Sequence, residues 1–266
     1  MNTIGFIGTG AMGGALATAV SKAEDVSLLL ANRHPEKAEL LSAKIGGRVT
    51  DNETAVKDAD VLFLAVKPQQ TEDVLSALKQ TFASREKRLL LISTVAGTSI
   101  LRLQELIGLD LPIIHIMPNI PVSVGEGMIF YTCSKEVTAD EEDLFRHILS
   151  GAGRLAALPE NQLDMGSAVA GCGPAFASMF VEAIADAGVI AGLPRSQAMQ
   201  FAAQMLVGTG KYLLETGMHP GQLKDAVCSP AGATIEGVRI LEENGFRGAV
   251  IDAVAAAYRA HLGLGA

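Results

Sequence analysis

A short apolar run, Ile4-Gly5-Phe6-Ile7, leads directly into Gly8-Thr9-Gly10-Ala11-Met12-Gly13 and then into an alanine-rich segment reaching Val20. A G-x-G-x-x-G spacing between a strand and a helix constrains the fold more than any other stretch, because each glycine answers a separate steric demand. Gly8 permits a tight turn, Gly10 lets the backbone approach a bulky phosphate group, and Gly13 lets helix and strand pack closely. The amides that open the helix then face an anion. A glycine-rich turn can be purely structural, but the strand-turn-helix context favours dinucleotide binding by Gly8, Thr9, Gly10, Ala11, Met12 and Gly13.

The pattern continues in kind. Apolar or β-branched runs at Val26 to Ala31, Arg48 to Thr50, Val61 to Ala65, Leu89 to Ile92, Ile113 to Ile116 and Met128 to Thr132 alternate with helix-period segments such as Pro35 to Lys44. Such alternation predicts a parallel sheet covered on both faces, with ligands at the carboxyl ends of its strands. After about Leu158 strand signals cease, and Ala, Gly, Met and Leu recur at helical spacing to Ala266. The expected class is α/β: an N-terminal Rossmann-type, doubly wound, mostly parallel sheet over residues 1–158 and a C-terminal all-α domain over 159–266. Met165 to Leu193 and Ala249 to Leu262 carry few charges on any face. A helix apolar all round is buried, and about a hundred residues cannot bury so much surface alone. The helical domain is therefore expected to pack against a second copy of itself, the alternative being a simple helical cap on the sheet.

Composition narrows the partners. With 49% hydrophobic and 19% charged residues the chain is no disordered segment, and 21 Lys+Arg against 29 Asp+Glu leave a net charge of -8. No basic cluster offers a nucleic acid or an anionic membrane anything to hold. Met1-Asn2-Thr3 lacks a basic leader, which predicts a cytoplasmic protein, and the charge-free stretch Met165 to Val181 falls short of the roughly 20 apolar residues of a membrane span. Cys133, Cys172 and Cys228 are far apart, and the histidines His34, His115, His147, His219 and His261 are scattered, so neither disulfides nor a metal site is expected.

The strand ends carry the remaining candidates. The second strand ends at Asn32-Arg33, where an NAD-binding chain typically offers a carboxylate. A guanidinium instead grips a 2'-phosphate, which predicts NADP(H), with Arg33 as clamp and Asn32 assisting and with NADH left open as a second donor. Ala65-Val66-Lys67-Pro68 follows the fourth strand, where Pro68 holds Lys67 extended against the cofactor. Ala96-Gly97 and Asn119 follow the fifth and sixth strands on the same edge. Further on, Ser229-Pro230-Ala231-Gly232-Ala233-Thr234 combines small residues with two hydroxyls. Its backbone amides could cup a carboxylate, or the segment could be an N-capped turn between helices; composition alone leaves both open.

The spacing of Pro220, Leu223, Val227, Cys228, Ser229, Gly232, Thr234, Gly237, Val238, Leu241 and Glu242 resembles the signature of pyrroline-5-carboxylate reductases. Gly8 to Gly13, Asn32-Arg33, Val66-Lys67-Pro68, Met117 to Pro121 and Gly171-Cys172-Gly173-Pro174-Ala175 appear in family order, so the resemblance spans essentially the whole chain. It implies hydride transfer from NADPH to the imine carbon of Δ1-pyrroline-5-carboxylate, giving L-proline. It also implies a carboxylate bound by Ser229, Ala231, Gly232 and Ala233, and Thr234 as the catalytic residue beside the ring nitrogen. Gly171, Gly173 and Pro174 either shape the facing wall or serve close helix packing. An intertwined homodimer, with rings of dimers as a larger form, is implied as well. His115 stands where Arg is usual, Cys172 where Ser is common, Phe176 where Tyr is common, and Ala231 where a second Gly is frequent. The rival readings are an NADP-dependent hydroxyacid-type dehydrogenase, which would place a lysine on its long helix, and a non-catalytic NADPH-sensing module.

Overall fold

In the computed structural model, which describes residues 1–263, strand β1 (Asn2–Ile7) pairs on one side with β2 (Val26–Ala31) and on the other with β4 (Val61–Leu64). Helix α1 (Ala11–Val20) follows β1, and α2 (Pro35–Ile45) joins β2 to the edge strand β3 (Arg48–Thr50). Helix α3 (Asn52–Asp58) then returns the chain to β4. Beyond it come α4 (Pro68–Ala83), β5 (Leu90–Ser93), α5 (Ile100–Ile107) and β6 (Ile113–Met117). The strand order β3-β2-β1-β4-β5-β6-β7-β8 reverses direction between β1 and β4. A crevice opens at that switch point in a doubly wound sheet.

The sheet is mostly parallel, as expected; β7 (Gly127–Cys133) runs antiparallel to β6, and β8 (Gly153–Ala157) parallel to β7. Helix α6 (Ala139–Ile148) lies between the last two strands in sequence. β8 has no counterpart among the expected strands. Gly-Arg-Leu-Ala-Ala contains no β-branched or aromatic residue, so its extended form comes from pairing with β7 rather than from propensity.

Every residue of β4, β5 and β6 is buried, which explains their uninterrupted apolar runs. On one face Phe6, Phe63, Ile92 and Ile114 pack with Leu16 and Ala17 of α1 and Phe145 of α6. The rings of Phe6 and Phe63 stack with centroids 4.6 Å apart. On the other face Leu62, Leu64, Leu91 and Ile113 meet Val56 of α3, Leu75 of α4 and Leu103 of α5.

The remaining helices are α7 (Leu163–Gly166), α8 (Gly173–Ile190), α9 (Arg195–Thr216), α10 (Pro220–Val227), α11 (Ala233–Glu243) and α12 (Phe246–Gly263). The chain divides into two compact units, Met1–Cys172 with the described residues after Ala256, and Gly173–Ala256. Strands end at Ala157, close to the change of pattern at Leu158, while the sheet unit continues to Cys172 because α7 and the next turn are seated on it. Gly166 lies so close to the Phe130 ring that an added Cβ would be 2.8 Å away, and Asn119 Nδ2 donates to the Ala170 carbonyl at 2.9 Å. Residues 264–266, the end of the expected helical domain, lie outside the described residues.

Two expectations require correction. The apolar segment Met165 to Leu193 is not one regular helix: Ser167–Gly171 is wound with π spacing, Cys172 donating to the Ser167 carbonyl at 3.0 Å, and α8 begins at Gly173. Pro174 has no N–H to continue the preceding ladder, so the helix restarts around it. The wider helical run Glu160–Ile190 is also long and apolar enough, by length and composition, to cross a membrane. The charge-free stretch Met165 to Val181 ends before Glu182, but α8 carries that charge and continues to Ile190.

Burial in the helical unit is sparse. Only Ala185, Ala198 and Ala202 form its sealed core, whereas Met179, Ile190, Val207 and Ile251 are exposed. The apolar helices expected to be buried are thus not covered within one chain.

Candidate active site

Three glycines build the turn after β1, each with its own geometry. Gly8 has φ +97°, and a Cβ there would lie 2.4 Å from the Ala65 carbonyl oxygen at the end of β4. At Gly13 a Cβ would lie 2.0 Å from the Gly8 carbonyl, so only glycine lets α1 approach the turn. Gly10 has nothing within 4 Å of its Cβ position and is the N-cap of α1 without a side-chain cap. The helix therefore presents its first amides to open space, which suits a diphosphate.

The turn is braced from β2. Asn32 Oδ1 accepts the Thr9 amide at 3.0 Å, and its Nδ2 donates to the His34 carbonyl at 3.0 Å. Both ends of the amide expected to assist a phosphate clamp are thus engaged in holding the turn. Thr9 Oγ1 is buried beside it with no hydrogen-bond partner among the described residues. A buried hydroxyl without a partner is uncommon and fits a donor or acceptor arriving with a ligand.

A crevice of about 1090 Å³ runs across the switch point, bringing together Gly8, Gly10, Asn32, Arg33, Ala65, Val66 and Lys67. Arg33 is exposed at its lip. Sequence reasoning missed Lys37, which lines the same lip from the first turn of α2. Its signal was a lysine one turn into the helix that Pro35 starts beside Arg33. On the opposite wall Asp51 caps α3 by accepting the Thr54 amide at 2.7 Å, and that bond holds its carboxyl below the usual range.

Lys67 is the extended N-cap of α4, φ -69° and ψ 147°, with Pro68 in the first helical position. Ala11, Met12, Gly13 and Pro68 support the crevice without lining it, and Ala96, Gly97 and Asn119 lie beyond its lining. Asn119 is buried, accepting the Met128 amide at 2.9 Å while its Nδ2 holds Ala170. It braces the end of β6. Cys172 is partly buried, its sulfur 3.6 Å from His261 Nε2, and Phe176 lies in α8.

The second candidate lies within the helical unit. Gly232 donates its amide to the Ser229 carbonyl at 3.0 Å, closing a turn in which Pro230 is second and Ala231, at φ +55°, is third. Pro followed by a left-handed residue is the pattern of a type II turn, whose third position normally takes glycine. A Cβ on Gly232 would lie 2.3 Å from Ser229 Oγ, so the turn also excludes a side chain there. The segment forms a turn between α10 and α11, with Gly232 as the N-cap of α11 and no side chain capping it. Ala233 and Thr234 open that helix, an arrangement able to receive a carboxylate. Thr234 also borders an apolar cavity of about 500 Å³, with Tyr212, Leu213, Leu223 and Val227 among its walls.

Comparison with known proteins adds independent findings. The family described as pyrroline-5-carboxylate reductase dimerisation matches residues 160–264, and the one described as NADP oxidoreductase coenzyme F420-dependent matches residues 3–97. A pyrroline-5-carboxylate reductase of Synechocystis sp. is 40% identical over 266 residues, covering 98% of each chain. That of Escherichia coli is 40% identical over 255 residues, covering 94% of each. The crystal structure of Plasmodium falciparum pyrroline carboxylate reductase with NADP bound superposes with a TM-score of 0.88 at 31% identity, covering 100% of this chain and 98% of that one. A 3-hydroxyisobutyrate dehydrogenase of Mycobacterium tuberculosis, at TM-score 0.51 and 16% identity, shares the fold alone.

Proposed function

The chain belongs to the pyrroline-5-carboxylate reductase family, and we propose on that premise that it reduces the cyclic imine Δ1-pyrroline-5-carboxylate to L-proline with NADPH, the last step of proline biosynthesis. One observation carries the reading: a single chain holds both a glycine turn open to a dinucleotide and an uncapped helix start behind a type II turn. When bound, the reduced cofactor supplies a hydride to the imine carbon. The protein supplies binding, orientation and shielding from water.

The residues present suit that cofactor. Gly10 leaves room for the diphosphate, the Thr9 hydroxyl is unpartnered, and no carboxylate stands at Asn32-Arg33 to repel a 2'-phosphate. Arg33 and Lys37 hold that phosphate, and Asn32 keeps the turn in shape beneath it. Ala65, Val66 and Lys67 line the continuing crevice, and Ala96, Gly97 and Asn119 complete the strand-end edge. The amides of Ser229 to Ala233 take the substrate carboxylate. Thr234 orients the ring through its hydroxyl; an alcohol does not titrate near neutral pH, so the proton comes from water or is already on the substrate.

Residues 1–158 as the cofactor domain and 159–266 as the substrate and dimerisation domain belong to the same reading. So do a cytoplasmic homodimer, its exposed helical faces covered by a second copy, and rings of such dimers. The rival hydroxyacid-type dehydrogenase would need a lysine that the run Met165 to Ile190 lacks. The test is a single-turnover assay of NADPH oxidation with the cyclic imine, proline being identified by mass. Turnover of a 3-hydroxy acid with NADP+ and none with the imine would overturn the reading; sedimentation tests the assembly.

A further inference from the structure

His115 has no part in the function just described, yet its surroundings are specific. It lies in β6 directly across from Ser93, the last residue of β5. Its side chain is 5% exposed. Ring Nε2 and the Val95 carbonyl oxygen are 3.0 Å apart. A carbonyl only accepts, so Nε2 carries the proton and Nδ1 carries the lone pair. Ser93, also buried, accepts the Val95 amide on its hydroxyl at 3.2 Å. Both backbone polar groups of fully buried Val95 are therefore held by side chains of two residues that face each other across β5 and β6.

Val95 leads into Ala96 and Gly97, the latter at φ +70°. This turn leaves the sheet on the carboxyl edge, on the far side of the switch point from β2 and β3. In a sheet of this order the two halves of a dinucleotide lie on opposite sides of that point. Arg33 and Lys37 lie on the β2 side, so with the adenosine half of the cofactor held there the β5 turn would face the nicotinamide half. Nδ1 of His115 has no partner among the described residues. Burial pushes the ring's pKa below its ordinary value; nearby Glu160 and Asp164 and the Val95 bond oppose this without prevailing.

We propose that His115 is a positioning residue for the nicotinamide half of the cofactor: with Ser93 it clamps the Val95 backbone and so fixes the Ala96-Gly97 turn against which that half rests. This rests on the NADPH reading above.

The test compares His115→Leu, which removes the donor, with His115→Gln, whose amide can still donate to a carbonyl. Calorimetry measures binding of NADPH and of 2'-phospho-ADP-ribose, which lacks the nicotinamide half. His115→Leu should weaken NADPH about tenfold, the loss of one buried hydrogen bond, and leave 2'-phospho-ADP-ribose unchanged. His115→Gln should restore NADPH binding. Hydrogen exchange in the cofactor-free protein should quicken at Val95 to Gly97 alone. If His115→Leu does not fold, Ser93→Ala releases the Val95 amide and should give the same selective loss. Equal weakening of both ligands, or of neither, in variants of a folded protein overturns the inference. Wild-type protein that binds neither ligand overturns the NADPH reading instead.

Discussion

Ala231 is a methyl-bearing residue in a conformation that glycine adopts without penalty. At φ +55° an alanine pays roughly 1–2 kcal/mol of steric cost between its Cβ and the following carbonyl. Ala231→Gly removes that cost but adds about 0.4–1 kcal/mol through the greater freedom of glycine in the unfolded chain. The residue is exposed, so loss of its methyl uncovers no core. At the midpoints the difference is a gain of about 0.8 kcal/mol, or roughly 2–3 °C in Tm for a chain of this size. Ala231→Val should move the other way by about 1 kcal/mol or more, because a β-branched side chain fits the left-handed region worse. Thermal melts of the three proteins, at one concentration, decide the matter. A glycine variant that melts earlier, or a valine variant that matches the parent, would refute the strain argument. The amides of the turn remain in Ala231→Gly, so reduction of the imine should persist.

Other expectations concern chemistry and pH. Arg33→Ala should lower kcat/KM with NADPH by about tenfold or more and leave the value with NADH nearly unchanged, since only the 2'-phosphate loses its charge-assisted partner; an unaltered ratio in steady-state assays removes Arg33 from that role. Thr234→Ala should cut kcat/KM for the imine by about a hundredfold while NADPH affinity, measured by calorimetry, stays within about twofold. Full activity in that variant would displace Thr234 from the site. Glu142 accepts from the Tyr131 hydroxyl at 2.6 Å and pairs with Arg146 at 2.8 Å. The Tyr131 bond and then Arg146 hold its carboxyl below the usual range. Its stabilising contribution is therefore present above the unfolded value of about 4.3 and lost as pH falls through the lower folded one. Denaturant melts of Glu142→Gln and the parent should differ at neutral pH and converge in acid.

The strands were legible because their signal is local. β2 and β3 have the limits their residues predict, and α1 ends at Val20 as expected. The glycine turn was equally readable, since each steric demand is written in the residue that meets it. What failed to show was set by distant partners. β8 exists through its pairing with β7, and Lys37 joins the crevice through the packing of α2 against β2 and β3. Asn32 stands at the end of β2 as its position predicts, but its hold on the Thr9 amide was not legible, because that demand is invisible until the turn has folded. The left-handed Ala231 was likewise unreadable from composition, where alanine signals nothing.

The three-alanine core of the helical unit has a thermodynamic consequence. Little apolar area is removed from water within one protomer, so in the homodimer proposed above folding of these helices and association would become a single equilibrium. Dilution then acts as a denaturant, and the midpoint of unfolding climbs with protein concentration. In such a chain, abundance in the cell sets not only how much catalyst is present but what fraction of it holds its shape.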